Sequence, residues 1–213
     1  MSELKIKICG IKDTEVALHA IDCGARYLGF VFFEDSKRNI SLKNCRDILD
    51  QVKGNVSTVA VTVNPSIVEL NNFSKMDFTH VQLHGNENLD YLKKIRDKFD
   101  FKIIKSFGIS NQEDLDCIET YSPYVDFFLL DSKHHNNVPG GTGKIFDWEI
   151  IKNFSVNKTF FLSGGLSIDN IESAINLKKT NYFDVSSGVE VSEGIKDKNL
   201  IKEFIIKAQS TIL

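Results

Sequence analysis

The sequence lacks the features that mark secreted and membrane proteins. No apolar run approaches the roughly 20 residues that a membrane-spanning helix needs. The N-terminal residues Met1 to Leu4 carry no charged segment followed by an apolar one, as a secretory leader would. We therefore expect a cytoplasmic protein with no membrane partner.

The sequence also lacks the cysteine spacings of metal and disulfide sites. It has four cysteines: Cys9, Cys23, Cys45 and Cys117. They form no CxxC pair, and none has a histidine at metal-ligand spacing, so we expect reduced thiols and no zinc site. Cys9 alone is placed at a strand end, where a thiol can do chemistry. The other three fall within or beside predicted helices, where we expect them to pack.

An excess of positive charge is missing as well. The 213 residues include 26 Lys and Arg against 29 Asp and Glu, spread along the chain, for a net charge of −3. Nucleic-acid grooves and membrane-binding faces need clustered basic residues, so we expect no nucleic-acid partner. The length suffices for one sizeable core and is short for two, which predicts a single domain over residues 1–213.

What the sequence does have is a repeated alternation of short apolar runs and amphipathic segments. The apolar runs predict strands at 4–8, 27–33, 56–63, 79–83, 101–107, 125–130, 159–162 and 182–185. The segments between them predict helices at 13–22, 41–52, 65–76, 89–99, within 111–120, at 147–151, 168–177 and 199–209. Eight strand-then-helix units predict an α/β fold with one (β/α)8 TIM barrel.

Polar side chains follow several of the predicted strands. Cys9 ends the first strand, Arg38 lies in the loop after the second, Gln82 and His84 end the fourth, and Asp131 ends the sixth. In a (β/α)8 barrel the site forms from the loops after the strands. We therefore expect these side chains to gather at one end of the barrel.

Glycine-containing turns follow the last two strands, where barrels commonly hold a phosphate. Gly164 and Gly165 follow strand seven, Ser187 and Gly188 follow strand eight, and Gly141 lies in a glycine-rich segment after strand six. One such turn alone is typical of any tight connection between a strand and a helix. Their joint occurrence favours a phosphorylated substrate.

Cys9 and Asp131 belong to strands far apart in sequence, and we expect them to face one another across the barrel. A thiolate accepts a proton, and a buried neutral carboxylic acid donates one. This chemistry requires a lowered pKa for the thiol and a raised pKa for the carboxyl group. Singly, Cys9 is typical of a small core residue and Asp131 of a cap. Arg38 is either a bidentate ligand for a carboxylate or a solvated loop charge.

Seven short motifs run in order over essentially the whole chain. They lie at residues 7–11, 36–38, 81–85, 130–132 with 140–143, 163–166, 184–190 and 194–197. With these motifs the chain resembles the phosphoribosylanthranilate isomerase family of tryptophan biosynthesis. The resemblance implies an Amadori rearrangement of N-(5-phospho-β-ribosyl)anthranilate to 1-(2-carboxyphenylamino)-1-deoxyribulose 5-phosphate, without a metal or cofactor.

The resemblance also implies roles for single residues. Asp131 is then the general acid at the ribose ring oxygen, Cys9 the general base at C2, and Arg38 the ligand of the anthranilate carboxylate. The other implied substrate contacts are Gln82 and His84, and, for the phosphate, Gly141, Gly164, Gly165, Ser187 and Gly188. The expected partner is this small phosphosugar, bound by a monomer rather than a homodimer.

Three alternatives stay open at this point. The histidine-pathway isomerase has Asp at the first strand end, where this chain has Cys9. Indoleglycerol-phosphate synthase uses Lys and Glu at its strand ends, and Lys105 near the end of strand five keeps that lyase open. A non-catalytic phosphosugar-binding barrel would keep the glycine turns without an acid and a base. The chain also departs from the family in Ser163, where alanine is usual, and in Lys37 and Asn39.

Overall fold

A closed barrel of eight parallel strands forms the centre of the protein. The computed structural model describes residues 3–133 and 147–211. The strands are β1 Lys5–Cys9, β2 Tyr27–Phe32, β3 Ser57–Thr62, β4 His80–Leu83, β5 Lys102–Ile109, β6 Phe127–Ser132, β7 Phe160–Leu162 and β8 Tyr182–Val185. Each strand pairs with the next in chain order, and β8 pairs back with β1. The predicted (β/α)8 fold is thereby confirmed.

Within the residues that the structure describes, six α-helices lie in the connections between strands and after the last one. They are α1 Thr14–Asp22, α2 Leu42–Val52, α3 Ile67–Lys75, α4 Leu89–Arg96, α5 Ile171–Asn176 and α6 Lys198–Ser210. Side-chain oxygens of Asp13 and Ser41 cap α1 and α2 by accepting backbone N–H groups of the first turn. The cap of α3 is Ser66, and Glu69 completes a capping box there.

The connection after β5 differs from the prediction. In place of an α-helix within residues 111–120, the chain forms two 3₁₀ helices, Gln112–Leu115 and Ile118–Tyr124. Asn111 and Asp114 close a tight reciprocal cap around the first of them. Pro123 lies in the second and has no backbone N–H to donate to a helical hydrogen bond. The predicted segment at 147–151 is also a 3₁₀ helix, Trp148–Ile151.

A short hairpin follows β8 and has no counterpart among the predicted elements. A 3₁₀ turn, Ser187–Val189, leads into β9 Glu190–Ser192, which pairs antiparallel with β10 Ile195–Lys196. Strands of three and two residues are too short to show an alternating pattern in the sequence. This β9–β10 hairpin stands beside the end of the barrel where the strands terminate.

Two apolar clusters fill the molecule. The larger one lies between barrel and helices and includes Ile6 and Ile8. The smaller one includes Cys9, Tyr27 and Phe161. Neighbouring residues of one strand point to opposite faces of the sheet, which separates Ile8 from Cys9. Within the described ranges, the chain forms no helix of the length and apolar character needed to cross a membrane.

The cysteines are free thiols, as expected, but their surroundings differ. Cys45 is fully buried in the larger cluster, and Cys23 is half-buried against it. Cys117 is exposed, so the prediction that it packs in the core is wrong. The 3₁₀ geometry after β5 explains this, because it replaces the regular helical face on which Cys117 was expected.

His80 is a buried, uncharged histidine among aromatic rings. Its ring lies 5.4 Å from that of Tyr27 and 5.7 Å from that of Phe127, measured between centroids. Nδ1 lies 2.8 Å from Thr79 Oγ1, and Nε2 has no hydrogen-bond partner within the described residues. Burial, with a smaller contribution from Lys102, lowers the pKa of His80 to about 4.

The low pKa of His80 predicts an acid-sensitive contribution to stability. Between about pH 6.5 and pH 4 the unfolded chain binds a proton at His80 that the folded protein does not bind. The folded state therefore loses up to about 3 kcal/mol as the pH falls through this window. In His80→Phe that loss is absent. Urea unfolding between pH 4 and 7.5 measures it as a stability difference from wild type that changes with pH, and a constant difference contradicts it.

Candidate active site

A cavity opens at the end of the barrel where the strands terminate, with about 720 Å³ of empty space that includes its open mouth. Eight of the ten predicted site residues line it: Cys9, Arg38, Gln82, His84, Asp131, Gly164, Gly165 and Ser187. Of the other two, Gly141 lies outside the described residues, and Gly188 is next to the lining residue Ser187.

Cys9 ends β1 and presents its thiol to this cavity. Burial raises the pKa of the thiol, and the carboxylate of Asp184 raises it further. The ammonium groups of Lys7 and Lys196 act in the opposite direction without cancelling the effect of burial. The expectation of a lowered thiol pKa is therefore wrong for the unliganded protein.

Asp131, near the end of β6, is a buried carboxyl group. Burial and the nearby carboxylate of Asp184 raise its pKa to about 7, although the backbone N–H of Ser132 donates to Oδ1 at 2.8 Å. His84 Nε2 lies 3.6 Å from Oδ2. The raised pKa agrees with the expectation for a general acid, because half of the carboxyl groups keep their proton near neutral pH.

Cys9 and Asp131 share the cavity but are not directly opposite. The barrel order places β7 and β8 between β6 and β1, whereas the strand opposite β1 in a ring of eight is β5. The expectation that the two side chains face one another across the barrel is therefore corrected. Their strands are three positions apart in the ring, with Asp184 of β8 between them in the strand order.

A buried ion pair lies beside both residues and was given no role by the sequence. Lys7 and Asp184 are partners in the register of β1 and β8, and Lys7 Nζ lies 2.8 Å from Asp184 Oδ1. Lys7 is fully buried, and Ser163 Oγ lies 3.4 Å from the other carboxylate oxygen. The hydroxyl of Ser163 thus contacts this pair. The available signal was that Lys7 precedes Cys9 by two residues and so shares its strand face.

Arg38 is buried at the cavity, so its interpretation as a solvated loop charge is wrong. Its Nε and Nη2 donate to the two carboxylate oxygens of Glu190, over 2.8 and 2.7 Å. Lys196 Nζ lies 2.6 Å from Glu190 Oε1. Burial opposes the charge of Glu190, but hydrogen bonds from Arg38 and Lys196 lower the pKa of its carboxyl group to about 2.

The turn after β7 has a backbone that favours glycine. Gly164 and Gly165 both have positive φ angles, +84° and +72°, and a Cβ on Gly164 would lie 2.6 Å from the backbone N of Ser132. Asn170 fixes this turn by donating from Nδ2 to the carbonyl of Gly165 over 2.8 Å. The turn brings bare backbone to the cavity wall, as a phosphate site requires.

Gly188 packs tightly between the loops after β7 and β8. A Cβ on Gly188 would lie 1.9 Å from the carbonyl oxygen of Leu166, so only glycine fits there. Its neighbour Ser187 lines the cavity. The phosphate contact of Gly188 stays a prediction.

The side-chain oxygen of Gln82 is a buried acceptor without a hydrogen-bond donor among the described residues. The side chain is buried on β4 and lines the cavity, and its Oε1 accepts no hydrogen bond from any described residue. A buried acceptor without a donor is costly. A hydroxyl group of a ligand in the cavity would supply the donor for Gln82 Oε1.

Lys105 forms buried contacts with the loop after β4 and does not reach the cavity. Its Nζ lies 3.0 Å from Glu87 Oε2 and donates to the carbonyl of Gly85 over 2.8 Å. It does not line the cavity. The position of Lys105 therefore no longer supports the alternative of a lyase.

Comparison with known proteins agrees with this geometry. The sequence model of the family N-(5'-phosphoribosyl)anthranilate (PRA) isomerase matches residues 6–207. A relative of that name from Bacillus cereus is 40% identical over 212 residues, covering 97% of this chain and 98% of its own.

Solved structures give the same result. Phosphoribosyl anthranilate isomerase from Thermotoga maritima has a TM-score of 0.88 at 38% identity, covering 97% of this chain and 99% of its own. Another structure describes monomers generated from that dimeric protein, with a TM-score of 0.82, 36% identity and the same coverage. A third, with a TM-score of 0.83, 35% identity and the same coverage, is a complex with reduced 1-(o-carboxyphenylamino)-1-deoxyribulose 5-phosphate. The chain therefore belongs to the phosphoribosylanthranilate isomerase family, whose members are isomerases of tryptophan biosynthesis.

Proposed function

We propose that the protein converts N-(5-phospho-β-ribosyl)anthranilate into 1-(2-carboxyphenylamino)-1-deoxyribulose 5-phosphate, with Asp131 as general acid and Cys9 as general base. The observation that carries this proposal is that both groups border one cavity together with Arg38 and the turn at Gly164. The proposal takes residues 1–213 as one cytoplasmic catalytic domain that acts as a monomer without a cofactor.

The cavity offers a partner for each part of this substrate. The bare backbone at Gly164 and Gly165 suits the phosphate, and Gln82 Oε1 suits a ribose hydroxyl. Arg38 suits the anthranilate carboxylate, and Phe33 on the same wall suits the aromatic ring. Substrate groups fixed at two ends hold the reacting atoms in place between them.

The first step is opening of the ribose ring. Asp131 donates its proton to the ring oxygen, the bond from that oxygen to C1 breaks, and the nitrogen lone pair forms an iminium with C1. The pKa of about 7 keeps this proton available near neutral pH. Burial of the carboxyl group and the repulsion from Asp184 are the physical causes of that availability.

The second step is removal of the proton from C2. The Cys9 thiolate takes it, the C–H electrons form the C1–C2 double bond, and the iminium nitrogen becomes neutral. The resulting enolamine tautomerises to the ketone. The positive iminium next to C2 favours the thiolate in the same way as Lys7 and Lys196 do.

The pKa values make the catalytic form a minority species in the free protein. The thiol titrates above 9.0 and the carboxyl group near 7, so the acid loses its proton before the base does. Of the two forms that carry one proton, the form with a Cys9 thiolate and a protonated Asp131 is therefore the less populated one. Lys7 lowers the pKa of both groups, and Asp184 raises both, so this ion pair adjusts the protonation of acid and base together.

The direct test is to incubate the protein with phosphoribosylanthranilate and to follow the loss of anthranilate fluorescence. Turnover with formation of the carboxyphenylamino ketose supports the proposal. Absence of turnover by the folded protein overturns it.

Cys9→Ser is expected to lower kcat by about 10²- to 10⁴-fold with the fold intact, because a hydroxyl group is a far weaker base than a thiolate. The fluorescence assay measures the loss, and circular dichroism checks the fold. Cys117→Ser, which changes an exposed thiol in the same way, serves as the matched control. Equal activity of Cys9→Ser and the control would remove the base from this mechanism.

Asp131→Asn is expected to lose a similar factor, about 10²- to 10⁴-fold in kcat, since an amide cannot protonate the ring oxygen. The matched control is Asp116→Asn, an exposed carboxylate on the connection after β5. Binding of the reduced product analogue should persist in Asp131→Asn, which separates lost chemistry from a lost site. Retained turnover would show that another group supplies the proton.

The order of the two pKa values also predicts the pH profile. Because the thiol titrates above the carboxyl group, kcat/KM should rise with pH to a limb near 7 and fall only above the thiol pKa. Asp184 raises the pKa of Asp131, so Asp184→Asn should move the lower limb to lower pH. Steady-state kinetics between pH 5 and 10 measure both limbs. A lower limb that does not respond to Asp184→Asn contradicts this assignment.

A further inference from the structure

We propose that Glu190 is a positioning residue that fixes the guanidinium of Arg38 as the receptor for the carboxylate of the substrate. The inference rests on the proposed function, and it adds a residue to which the sequence motifs assigned no role. Glu190 acts through Arg38 and lies behind it, since Arg38 lines the cavity and Glu190 does not.

The contact between Glu190 and Arg38 has the geometry that fixes a guanidinium most firmly. Nε and Nη2 of Arg38 donate to Oε1 and Oε2 over 2.8 and 2.7 Å, as two parallel hydrogen bonds. Such a fork defines the plane of the guanidinium as well as its position. Both side chains are buried, with 8% and 3% exposed, so water does not loosen the pair.

Glu190 is itself held from the other side by the β9–β10 hairpin. Lys196 Nζ lies 2.6 Å from Oε1, and the backbone N–H of Gly194 donates to Oε2 over 3.1 Å. The hairpin also touches the loop that carries Arg38, because a Cβ on Gly194 would lie 2.5 Å from the carbonyl oxygen of Lys37. The carboxylate therefore adds an ionic link between two segments that already touch at Gly194 and Lys37.

The charges of this cluster point to an anionic ligand group. Arg38 and Lys196 carry two positive charges, and Glu190 carries one negative charge because its carboxyl pKa is lowered to about 2. Of these three groups Arg38 lines the cavity, where a carboxylate of a ligand would meet a cation. Without Glu190 the two buried cations would repel each other, and Arg38 would lose its fixed position.

A purely structural role and a positioning role predict different results. If Glu190 only stabilised the fold, its loss would weaken all ligands of the cavity to the same extent. If Glu190 positions Arg38, its loss weakens only ligands that present a carboxylate to Arg38. The distinction requires two ligands that differ in that carboxylate alone.

The experiment compares two phosphosugars by calorimetric titration of the whole protein. One is the reduced product, which carries the 2-carboxyphenyl group, and the other is its analogue with an unsubstituted phenyl group. Glu190→Gln is expected to lower affinity for the carboxylate ligand by at least about tenfold and to leave the phenyl ligand within about twofold. Arg38→Ala should show the same selective loss. Glu203→Gln removes an exposed charge on α6 and should change neither ligand.

Every outcome decides the point. A selective loss supports the positioning role, while an equal loss of both ligands or no loss overturns it. Should Glu190→Gln fail to fold, Glu190→Asp keeps the charge but shortens the fork, and the same two titrations apply. Wild-type turnover of phosphoribosylanthranilate is measured separately, so failure of the proposed function is distinguished from failure of this inference.

Discussion

The buried ion pair between Lys7 and Asp184 is the contact that links the charges on this side of the barrel. Two opposite charges removed from water are stable only when they stay close, and the register of β1 and β8 places them so that they lie 2.8 Å apart. From this place Lys7 lowers and Asp184 raises the pKa of both Cys9 and Asp131. The two groups are therefore electrostatically coupled, although their strands are separated by two others.

The barrel could be predicted from the sequence because its signal is periodic. Buried strands and amphipathic helices repeat eight times, and short polar caps such as Ser41 mark where helices begin. Prediction failed where local geometry overrides periodicity, as in the 3₁₀ helices around Pro123. It also missed the β9–β10 hairpin, whose strands are too short to show a pattern and whose Glu190 contacts Arg38 in a distant loop.

The residues that line the cavity could be predicted once the barrel was, since residues after parallel strands meet at one end of the barrel. The buried contacts behind these residues could not be predicted. A lysine in an alternating strand normally marks an exposed face, but Lys7 is fully buried against a carboxylate contributed 177 residues later. The pKa of the Cys9 thiol is raised because Cys9 itself is buried. The spacing of residues in the sequence does not show how deeply a side chain is buried.

The carboxylates paired with Lys7 and Arg38 come from one stretch of chain. Asp184 lies near the end of β8 and acts on the pKa of Cys9 and Asp131, and Glu190 begins the hairpin and holds Arg38. Between them, the Ser186 hydroxyl donates to the carbonyl of Cys9, and its own carbonyl accepts from Lys196. A shift of this stretch would thus change the protonation of Cys9 and Asp131 together with the position of Arg38. The narrow fit of Gly188 against Leu166 opposes such a shift, so a residue outside the cavity wall helps to keep both ends of the site in place.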